Sequence, residues 1–487
     1  MMKLENLIFK DECITKKLPR ELEITNIAAY HKNIKEGSVF FHIPSLSGNR
    51  TEPDKILKKR PLAIVTEDSK AFEKCKIPTI EVKNARRALA YAMASFSDID
   101  FSKTKFIGIT GTNGKTTVAT MLKTILEYSG KKCGLFGTGK ILSGERKISP
   151  EKYTMTCPDP EILYPAIGQM QKDGCEIIIM EASSHALALD KLFPIPFTLG
   201  VFTGLSSEHM DFHKDMDEYL RAKERLIENA KSAIINIDDK SGKYLYEKYK
   251  NKSKSIGIIW EADAYATDVC NRGLEGCRYI YRTDRHLTRI TLKIPGLYNI
   301  YNSLLATSAA ISLGTTPKLC KEALASLEKI EGRMEVIRDD ITVIIDYAHT
   351  PFALQNLLKT AFINKKIGQN IILVFGCGGE RDKEKRPDMA SVAERYASKT
   401  IVTADNSRGE SLGEIISDIT AGFSSSKYGV ITDRAAAIRY AIQTAAPDDI
   451  VIIAGKGHER YILDENGYHS FDEREIVKDA LKSRKDT

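Results

Sequence analysis

Short apolar runs alternate with longer amphipathic stretches along almost the whole chain. In the first part, the apolar runs predict strands over 22–28, 38–43, 62–66 and 79–82, and helical spacing predicts a helix over 85–96. The polar segment 97–100 interrupts this pattern. We therefore predict a small α/β domain over residues 1–103.

The second part, residues 104–336, begins with an apolar strand over 105–109 and a helix over 116–128, and a glycine-rich turn separates them. Further strands are predicted over 176–181, 197–203 and 233–238. Apolar strands that alternate with helices indicate a parallel sheet covered on both faces. The more polar segment 253–294 predicts an antiparallel side sheet, and helices are predicted over 301–313 and 318–327.

From residue 337 to 487 the alternation of strands and helices begins again. Strands are predicted over 341–345, 370–375, 400–403 and 450–454, with helices over 351–362, 387–397, 411–423 and 434–444. This order is typical of a doubly wound domain, in which ligands bind at the carboxyl ends of the strands. Polar and glycine-rich segments follow the predicted strands, so we expect a ligand site there.

Composition agrees with a globular α/β protein of several domains, because 487 residues suggest about three domains. A formal charge of +7 suits acidic small molecules, and no nucleic-acid partner is expected because no block of lysine and arginine dominates. The nine cysteines contain no CxxC pair, which predicts a reducing, cytoplasmic compartment. No apolar signal core or membrane-spanning run is found, so no membrane partner is expected, and we expect a monomer.

The glycine-rich turn of the second part predicts a nucleotide site. Backbone N–H groups of such a turn and the following helix N-terminus bind phosphates, and a lysine reaches the outer phosphates. The hydroxyl group after that lysine is placed to bind Mg²⁺. A glycine-rich loop without a nucleotide is the alternative, and the strand and helix on either side argue against it. The predicted ATP or GTP site comprises Gly111, Thr112, Asn113, Gly114, Lys115, Thr116 and Thr117.

A carboxylate after the next apolar strand is a second candidate ligand of Mg²⁺. The apolar run 177–180 ends in Glu181, and an acid at a strand end beside a phosphate-binding loop commonly holds magnesium. The alternative is a solvated acid in a loop, which the fully apolar run before it disfavours.

Five motifs follow one another within about residues 105–460: TGTNGKTT from 110, LSSEHMDFH from 205 with Ala222-Lys223, GLYNIYN from 296, GRME from 332 and DYAHTP from 346. In this order they resemble the motifs of the Mur ligase family, which joins amino acids to carboxylates of peptidoglycan precursors. Glu208 stands where this family usually has aspartate. The resemblance implies an α/β fold of three domains: an acceptor-binding domain (1–103), a central P-loop ATPase domain (104–336) and a Rossmann-like C-terminal domain that binds the amino acid (337–487).

The same resemblance assigns roles to single residues. It implies that His209 binds a second magnesium ion and that Lys223 is carbamylated by CO₂, which makes it an anion able to hold a cation. Considered alone, Lys223 would be an ordinary lysine on a helix surface. Asn299 and Asn302 are implied to seat adenine, and Arg333 to reach the ATP phosphates. The DYAHTP motif adds Asp346 and His349 to the implied ATP site.

Two glycine-rich segments, FGCGGERDK from 375 and AGKGHE from 454, are typical of the MurE type, which adds the third residue of the peptide stem. The segment Asp405-Asn406-Ser407-Arg408 resembles the Asp-Asn-Pro-Arg of members that add meso-diaminopimelate. A guanidinium pairs with the far carboxylate of this amino acid and repels the ammonium of L-lysine. An exposed Arg408 without a ligand, or L-lysine as the added amino acid, remain alternatives. The implied pocket comprises Arg381, Asp405, Asn406, Arg408, Gly455 and Glu459.

The acceptor side departs further from the family. The resemblance implies that Thr156, Cys157, Ser183 and Lys191 contact the acceptor, a UDP-muramoyl dipeptide, but cysteine and lysine replace the usual threonine and arginine. The usual Asp-Ser-Arg appears as Tyr30-His31-Lys32, and Leu189 replaces glutamine. A related amide synthetase with another carboxylate acceptor, such as a polyglutamate or a modified wall precursor, is therefore the second hypothesis.

Two further hypotheses are weaker. A regulatory nucleotide switch would carry Asn-Lys-x-Asp, whereas the segment 251–254 lacks the aspartate. An inactive binding paralogue is disfavoured because Lys115, Glu181, His209 and Lys223 are all present.

Overall fold

The structure is a computed structural model that describes residues 2–16, 18–19, 22–45, 51–151 and 153–485. Two compact units make up the chain. The first contains Met1–Gly108, Lys131–Gly200 and Ala222–Ser232, and the second contains Ile109–Gly130, Val201–Arg221 and Ala233–Thr487. The domain boundaries expected after residues 103 and 336 stay a prediction.

The first part of the chain forms a small parallel sheet in the order β3-β4-β5-β6. The single strand predicted over 22–28 is wrong, because β2 and β3 are separate strands and β2 pairs antiparallel with β1. Helix α2 has its predicted bounds, and the side chain of Asn84 caps it by accepting from the N–H groups of Arg86 and Arg87. The elements are β1 (Met2–Lys3), β2 (Glu23–Ile24), β3 (Asn26–Ala28), β4 (Ser38–His42), α1 (Pro53–Leu57), β5 (Ala63–Thr66), β6 (Thr79–Glu81) and α2 (Ala85–Phe96).

The middle part contains the predicted strands together with several elements that the apolar pattern did not predict. The additional elements are β8 to β10 and the helices α4 to α7, and α8 begins three residues before its predicted start, at Tyr298. The elements are β7 (Lys105–Thr110), α3 (Lys115–Tyr128), β8 (Cys133–Gly137), β9 (Lys140–Ser143), β10 (Arg146–Lys147), α4 (Pro160–Lys172), β11 (Ile177–Glu181), α5 (Ser184–Ala188), β12 (Phe197–Phe202), α6 (Met216–Asn229), β13 (Ser232–Asn236), α7 (Lys240–Lys248), β14 (Ser253–Gly257), β15 (Ala264–Asn271), β16 (Cys277–Arg282), β17 (Leu287–Leu292), α8 (Tyr298–Ser312) and α9 (Pro317–Ser326).

Strand pairing in this part follows the predicted division into parallel and antiparallel segments only in part. In the first unit β11 pairs parallel with β8, which pairs antiparallel with β9. In the second unit β14 pairs parallel with β13 and β15, and β15, β16 and β17 are antiparallel. The antiparallel side sheet predicted over 253–294 is therefore confirmed for β15 to β17 and wrong for β14.

The last part of the chain is a six-stranded sheet in the order β18-β19-β23-β20-β21-β22, parallel except for β18. The doubly wound prediction is confirmed. The segments after β19, β20, β21 and β23 therefore lie at one edge of this sheet. The elements are β18 (Glu335–Arg338), β19 (Thr342–Asp346), α10 (Pro351–Asn364), β20 (Ile371–Phe375), α11 (Lys385–Tyr396), β21 (Lys399–Val402), α12 (Leu412–Thr420), β22 (Tyr428–Val430), α13 (Arg434–Thr444), β23 (Ile450–Ala454), β24 (Tyr461–Asp464), β25 (Gly467–Ser470) and α14 (Glu473–Lys485).

None of the described helices combines the length and the apolar character that crossing a membrane requires. No disulfide bond joins any of the nine cysteines, and six of them are buried: Cys133, Cys157, Cys175, Cys277, Cys320 and Cys377.

Candidate active site

The glycine-rich turn between β7 and α3 holds its lysine over its own carbonyl oxygens. Lys115 Nζ donates to Gly111 O at 2.9 Å and to Thr112 O at 2.8 Å. Gly114 has a φ of +88°, and a Cβ there would lie 2.5 Å from Asn302 Oδ1. Only glycine therefore allows Asn302 to approach the turn so closely. An ammonium group held by carbonyl oxygens can exchange them for phosphate oxygens.

Residues that follow β12 support the turn from the other side. Thr203 Oγ1 donates to Asn113 O at 2.6 Å, and the Thr112 N–H donates to Gly204 O at 2.9 Å. The Thr112 hydroxyl accepts from the Ser206 N–H at 3.0 Å. These bonds fix the conformation of the turn, as a preorganised phosphate site requires.

A cavity of about 460 Å³ opens beside this turn in the second unit, which is within the range of small-molecule sites. Nine of the residues predicted for ATP line it, and the remaining three belong to the turn and the start of α3. Side chains that sequence reasoning missed extend the lining: Asp238 after β13, Tyr301 on α8, and Asn356 and Lys359 on α10. The nine are Thr112, Asn113, Gly114, Thr117, Asn299, Asn302, Arg333, Asp346 and His349.

Arg333 connects the turn before β18 with the start of α3. Its Nη2 donates to Thr116 Oγ1 at 3.0 Å, and its guanidinium carbon lies 4.4 Å from the centre of the Tyr347 ring. Asp346 accepts from the Met334 N–H at 2.6 Å and fixes the turn that carries Arg333. Burial raises the pKa of Asp346, although the charge of Arg333 acts in the opposite direction.

His349 and Glu208 form an ion pair at the same cavity. His349 Nε2 lies 2.8 Å from Glu208 Oε1, and His349 Nδ1 lies 2.8 Å from Tyr347 O. Burial would raise the pKa of Glu208, but the hydrogen bond and charge of His349 and the charges of His209 and Lys115 hold it well below its usual range. His209 has a φ of +62°, a left-handed conformation that is uncommon outside glycine and occurs at functional sites.

Glu181 is buried in the first unit, with 1% of its surface exposed, at the carboxyl end of β11. The main-chain N–H of Thr138 donates to its Oε1 at 3.1 Å, and the Thr138 hydroxyl donates to its Oε2 at 3.2 Å. The same hydroxyl lies 3.1 Å from Thr156 Oγ1, a predicted acceptor contact. Glu181 is therefore not a solvated acid in a loop.

Lys223 lies on α6 and is buried, with 1% of its surface exposed. An interpretation of this residue as an ordinary surface lysine is wrong, because it falls on the apolar side of the helix with Tyr219, Leu226 and Ile227. Among the described residues no group of three or more His, Cys, Asp or Glu side chains could by itself hold a metal ion. The magnesium ligands Thr116, Glu181, His209 and Lys223 stay a prediction from the motifs.

The other predicted acceptor residues have structural partners in the first unit. The Ser183 hydroxyl caps α5 by accepting from the Ala186 N–H at 3.2 Å. Lys191 Nζ lies 2.6 Å from Asp159 Oδ1. Cys157 is buried, and burial raises the pKa of its thiol to about 12, so it is an inert thiol at neutral pH.

Most of the predicted amino-acid pocket comes together at the carboxyl edge of the six-stranded sheet. Asn406 Nδ2 donates to Glu459 Oε2 at 2.9 Å, and Gly455 has a φ of +117° at which a Cβ would lie 2.8 Å from Asp405 Oδ2. Arg408 Nη1 donates to Gly379 O at 2.7 Å and to Asn406 O at 3.2 Å, so the guanidinium is held by one end.

Arg381 is the exception in the predicted pocket. It is exposed, and its Nη1 donates to Glu380 O at 3.3 Å. Its role in binding the amino acid stays a prediction from the motif.

Sequence reasoning missed the hairpin of β24 and β25, which holds the segment 405–408. The Leu463 N–H donates to Asn406 Oδ1 at 2.9 Å, and the Arg408 N–H donates to Leu463 O at 3.0 Å. The dipeptide Asn466-Gly467 is a common turn signal, and it could have predicted this hairpin.

Two buried arginines, also missed, fix the loops of the pocket. Arg386 makes two bonds of 2.8 Å to the two carboxylate oxygens of Glu410, and Arg434 donates to Glu473 Oε1 at 2.7 Å. Arg434 also donates to Ala404 O and Ala454 O, which join the ends of β21 and β23. No sequence signal distinguishes these arginines from exposed ones.

Comparison with known proteins places the chain in a family. The Mur ligase middle domain matches residues 109–310, and the Mur ligase, glutamate ligase domain matches residues 332–457. A protein from Clostridioides difficile (strain 630) named UDP-N-acetylmuramoyl-L-alanyl-D-glutamate--2,6-diaminopimelate ligase is 38% identical, and the match covers 99% of each chain. A relative of the same name from Caldanaerobacter subterraneus is 41% identical over 88% of each chain.

A solved structure of a ligase with this name aligns with a TM-score of 0.68 at 28% identity and covers 97% of this chain and 98% of that chain. The expected α/β architecture, with a central P-loop ATPase domain and a C-terminal Rossmann-like domain, is confirmed by these matches. The chain belongs to the Mur ligase family of ATP-dependent amide ligases.

Proposed function

We propose that this chain adds meso-diaminopimelate to UDP-MurNAc-L-Ala-D-Glu in peptidoglycan synthesis, at the expense of ATP. The observation that carries this proposal is the match along 99% of both chains to a ligase whose name states this reaction. The pocket at the edge of the six-stranded sheet supports it, because Arg408 is held there beside Asn406 and Glu459.

The proposed reaction has two steps. A carboxylate oxygen of the acceptor attacks the γ-phosphorus of ATP, and ADP leaves, which gives an acyl phosphate. The amine of the amino acid then attacks the acyl carbon, loses a proton, and phosphate leaves. Arg333 in the lining of the cavity and Lys115 in the adjoining turn would neutralise charge on the transferred phosphoryl group.

Magnesium is the second requirement of the proposed reaction. The donor set suits it, because Mg²⁺ prefers oxygen ligands, and the hydroxyl of Thr116, the buried carboxylate of Glu181 and a carbamate on Lys223 all supply oxygen. His209 would add a nitrogen ligand. When bound, the ion would supply positive charge to the phosphoryl oxygens. Burial of Lys223 favours the carbamate only if a cation accompanies it, because a buried anion needs a partner.

A second candidate differs in the acceptor. Lys191 is bound to Asp159, and the exposed Tyr30 stands where the family has aspartate. These departures favour a related amide synthetase that uses another carboxylate.

Product analysis distinguishes the two candidates. The protein is incubated with ATP, Mg²⁺, meso-diaminopimelate and UDP-MurNAc-L-Ala-D-Glu, and products are identified by mass spectrometry. We expect the UDP-muramoyl tripeptide. Tight ATP binding without this product, but with turnover of a different carboxylate in an acceptor screen, would support the second candidate instead.

A further inference from the structure

A lysine that has no part in the predicted pocket lies at its centre. Lys456 is completely buried, and its Nζ lies 3.0 Å from Asn406 Oδ1, 3.1 Å from Glu459 Oε2 and 3.6 Å from Asp405 Oδ1. The ammonium also lies 5.1 Å from the centre of the Tyr461 ring. A buried charge is costly unless it is paired and hydrogen-bonded, and these partners meet that requirement.

Lys456 is one of three groups that together fix which way the Asn406 amide points. Its Oδ1 faces Lys456 Nζ and the Leu463 N–H, and both of these groups can only donate. Its Nδ2 faces the Glu459 carboxylate, which accepts. The opposite orientation would place a nitrogen against two donors and an oxygen against a carboxylate. With both lone pairs of Oδ1 used, the group that Asn406 can still offer a ligand is an N–H.

Lys456 also sets the charge of the pocket. Asp405 and Glu459 are negative, and Lys456 and Arg408 balance them. Burial would raise the pKa of Asp405, but the charges of Lys456 and Arg434 keep it below its usual value, so the acid remains ionised. Without Lys456 the pocket would carry excess negative charge, which favours L-lysine with its net positive charge over meso-diaminopimelate, whose far ammonium is balanced by a far carboxylate.

We propose that Lys456 is a positioning residue that sets the selectivity of this pocket for an amino acid with a far carboxylate. It does so by fixing the Asn406 amide with its N–H toward the ligand and by balancing the charge of Asp405 and Glu459. The inference rests on the proposed function, since it concerns the amino acid used in the second step.

The test is the variant Lys456→Met, which keeps an unbranched apolar side chain as far as Cε and removes the ammonium group. We expect the KM for meso-diaminopimelate to rise roughly tenfold or more, with little change in the KM for ATP. The preference for meso-diaminopimelate over L-lysine, measured as the ratio of kcat/KM values, should fall. The first step needs no amine, so positional isotope exchange in ATP with acceptor alone should be unchanged.

Lys399→Met is the matched control. Lys399 is a half-buried lysine whose Nζ lies 4.6 Å from the centre of the Tyr440 ring and 3.0 Å from its hydroxyl. It has an aromatic contact similar to that of Lys456 but lies away from the pocket, so all kinetic constants should stay at the wild-type values.

A double-mutant cycle shows whether Lys456 acts through Asn406. The double variant Lys456→Met with Asn406→Ala should lower kcat/KM for meso-diaminopimelate little more than Asn406→Ala alone. The reason is that the amide that the lysine orients is already absent. Lys456→Gln keeps a donor and gives a smaller effect; it also replaces Lys456→Met in the cycle if the latter does not fold.

The inference would be overturned if the effects of the two substitutions on kcat/KM simply added in the cycle. It would also be overturned if Lys456→Met lowered the rate of isotope exchange as much as that of the complete reaction. Either result would leave Lys456 with a structural role only. Failure of the wild-type protein to use any amino acid with this acceptor would instead reject the proposed function, so the two failures are distinguishable.

Discussion

His349 Nε2 lies 2.8 Å from Glu208 Oε1, and this contact joins the loops after β12 and β19. His349 Nδ1 lies 2.8 Å from the carbonyl oxygen of Tyr347, so contacts of both ring nitrogens hold the imidazole over the cavity in one orientation. Glu208 performs this role where the family usually has aspartate.

This pair predicts a pH dependence of stability. The pKa of Glu208 is depressed in the folded protein, so its stabilisation is complete above the ordinary pKa of a glutamate and is lost as pH falls below that value. We expect the thermal midpoint to fall between about pH 5 and pH 3. In Glu208→Gln the thermal midpoint should depend less on pH over this range, and the free energy of unfolding at neutral pH should fall by about 1–3 kcal/mol.

Glu414→Gln is the control for this experiment, because Glu414 is an exposed acid on α12. The thermal midpoint of Glu414→Gln should change with pH as much as that of the wild type does. If the thermal midpoint of Glu208→Gln depended on pH as strongly as that of the wild type, the depressed pKa of Glu208 would be contradicted.

Lys115→Ala should reduce turnover by roughly 100-fold or more, because one cation that neutralises the transferred phosphoryl group is removed. Steady-state phosphate release measures this effect. Lys105→Ala, which removes an exposed lysine at the start of β7, should leave turnover unchanged. Turnover near the wild-type rate in Lys115→Ala would mean that the assignment of the phosphate-binding turn is wrong.

Lys223→Ala should also lose activity, and small carboxylates such as formate or acetate should restore part of it by replacing the carbamate. Arg221→Ala, on the exposed side of the same helix, should neither lose activity nor respond to carboxylates. Activity of Lys223→Ala is measured against carboxylate concentration. Absence of rescue at every concentration would leave carbamylation without support.

Arg408→Ala should raise the KM for meso-diaminopimelate roughly tenfold or more and change the KM for ATP little, since the lost partner is a carboxylate of the amino acid. Arg439→Ala removes an exposed arginine from α13 and serves as the control. Equal effects of Arg408→Ala on both substrates would contradict the role of Arg408 in selectivity.

Regular apolar runs made much of this fold predictable. The helix over 85–96, the helix over 434–444 and the strand over 450–454 have the bounds that the sequence predicts. Helix α4 was missed for a physical reason. Pro165 lies inside it, and proline usually ends a helix.

Single-residue environments were harder to predict than elements. Lys223 and Lys456 are buried although lysine is almost always exposed. Composition carries no signal of such burial, and for Lys456 it depends on a partner that is distant in sequence, Asn406. Lys223 does carry a local signal, because it lies at helical spacing from the buried Tyr219 and Leu226. The turn residues 111–117 were predictable because their chemistry is local.

The central claim is tested most directly by phosphate release from ATP with UDP-MurNAc-L-Ala-D-Glu and either meso-diaminopimelate or L-lysine. We predict strong release with meso-diaminopimelate and little with L-lysine. Release with L-lysine alone would contradict the selectivity assigned to Arg408 and Lys456, and no release with either amino acid would contradict the proposed reaction itself.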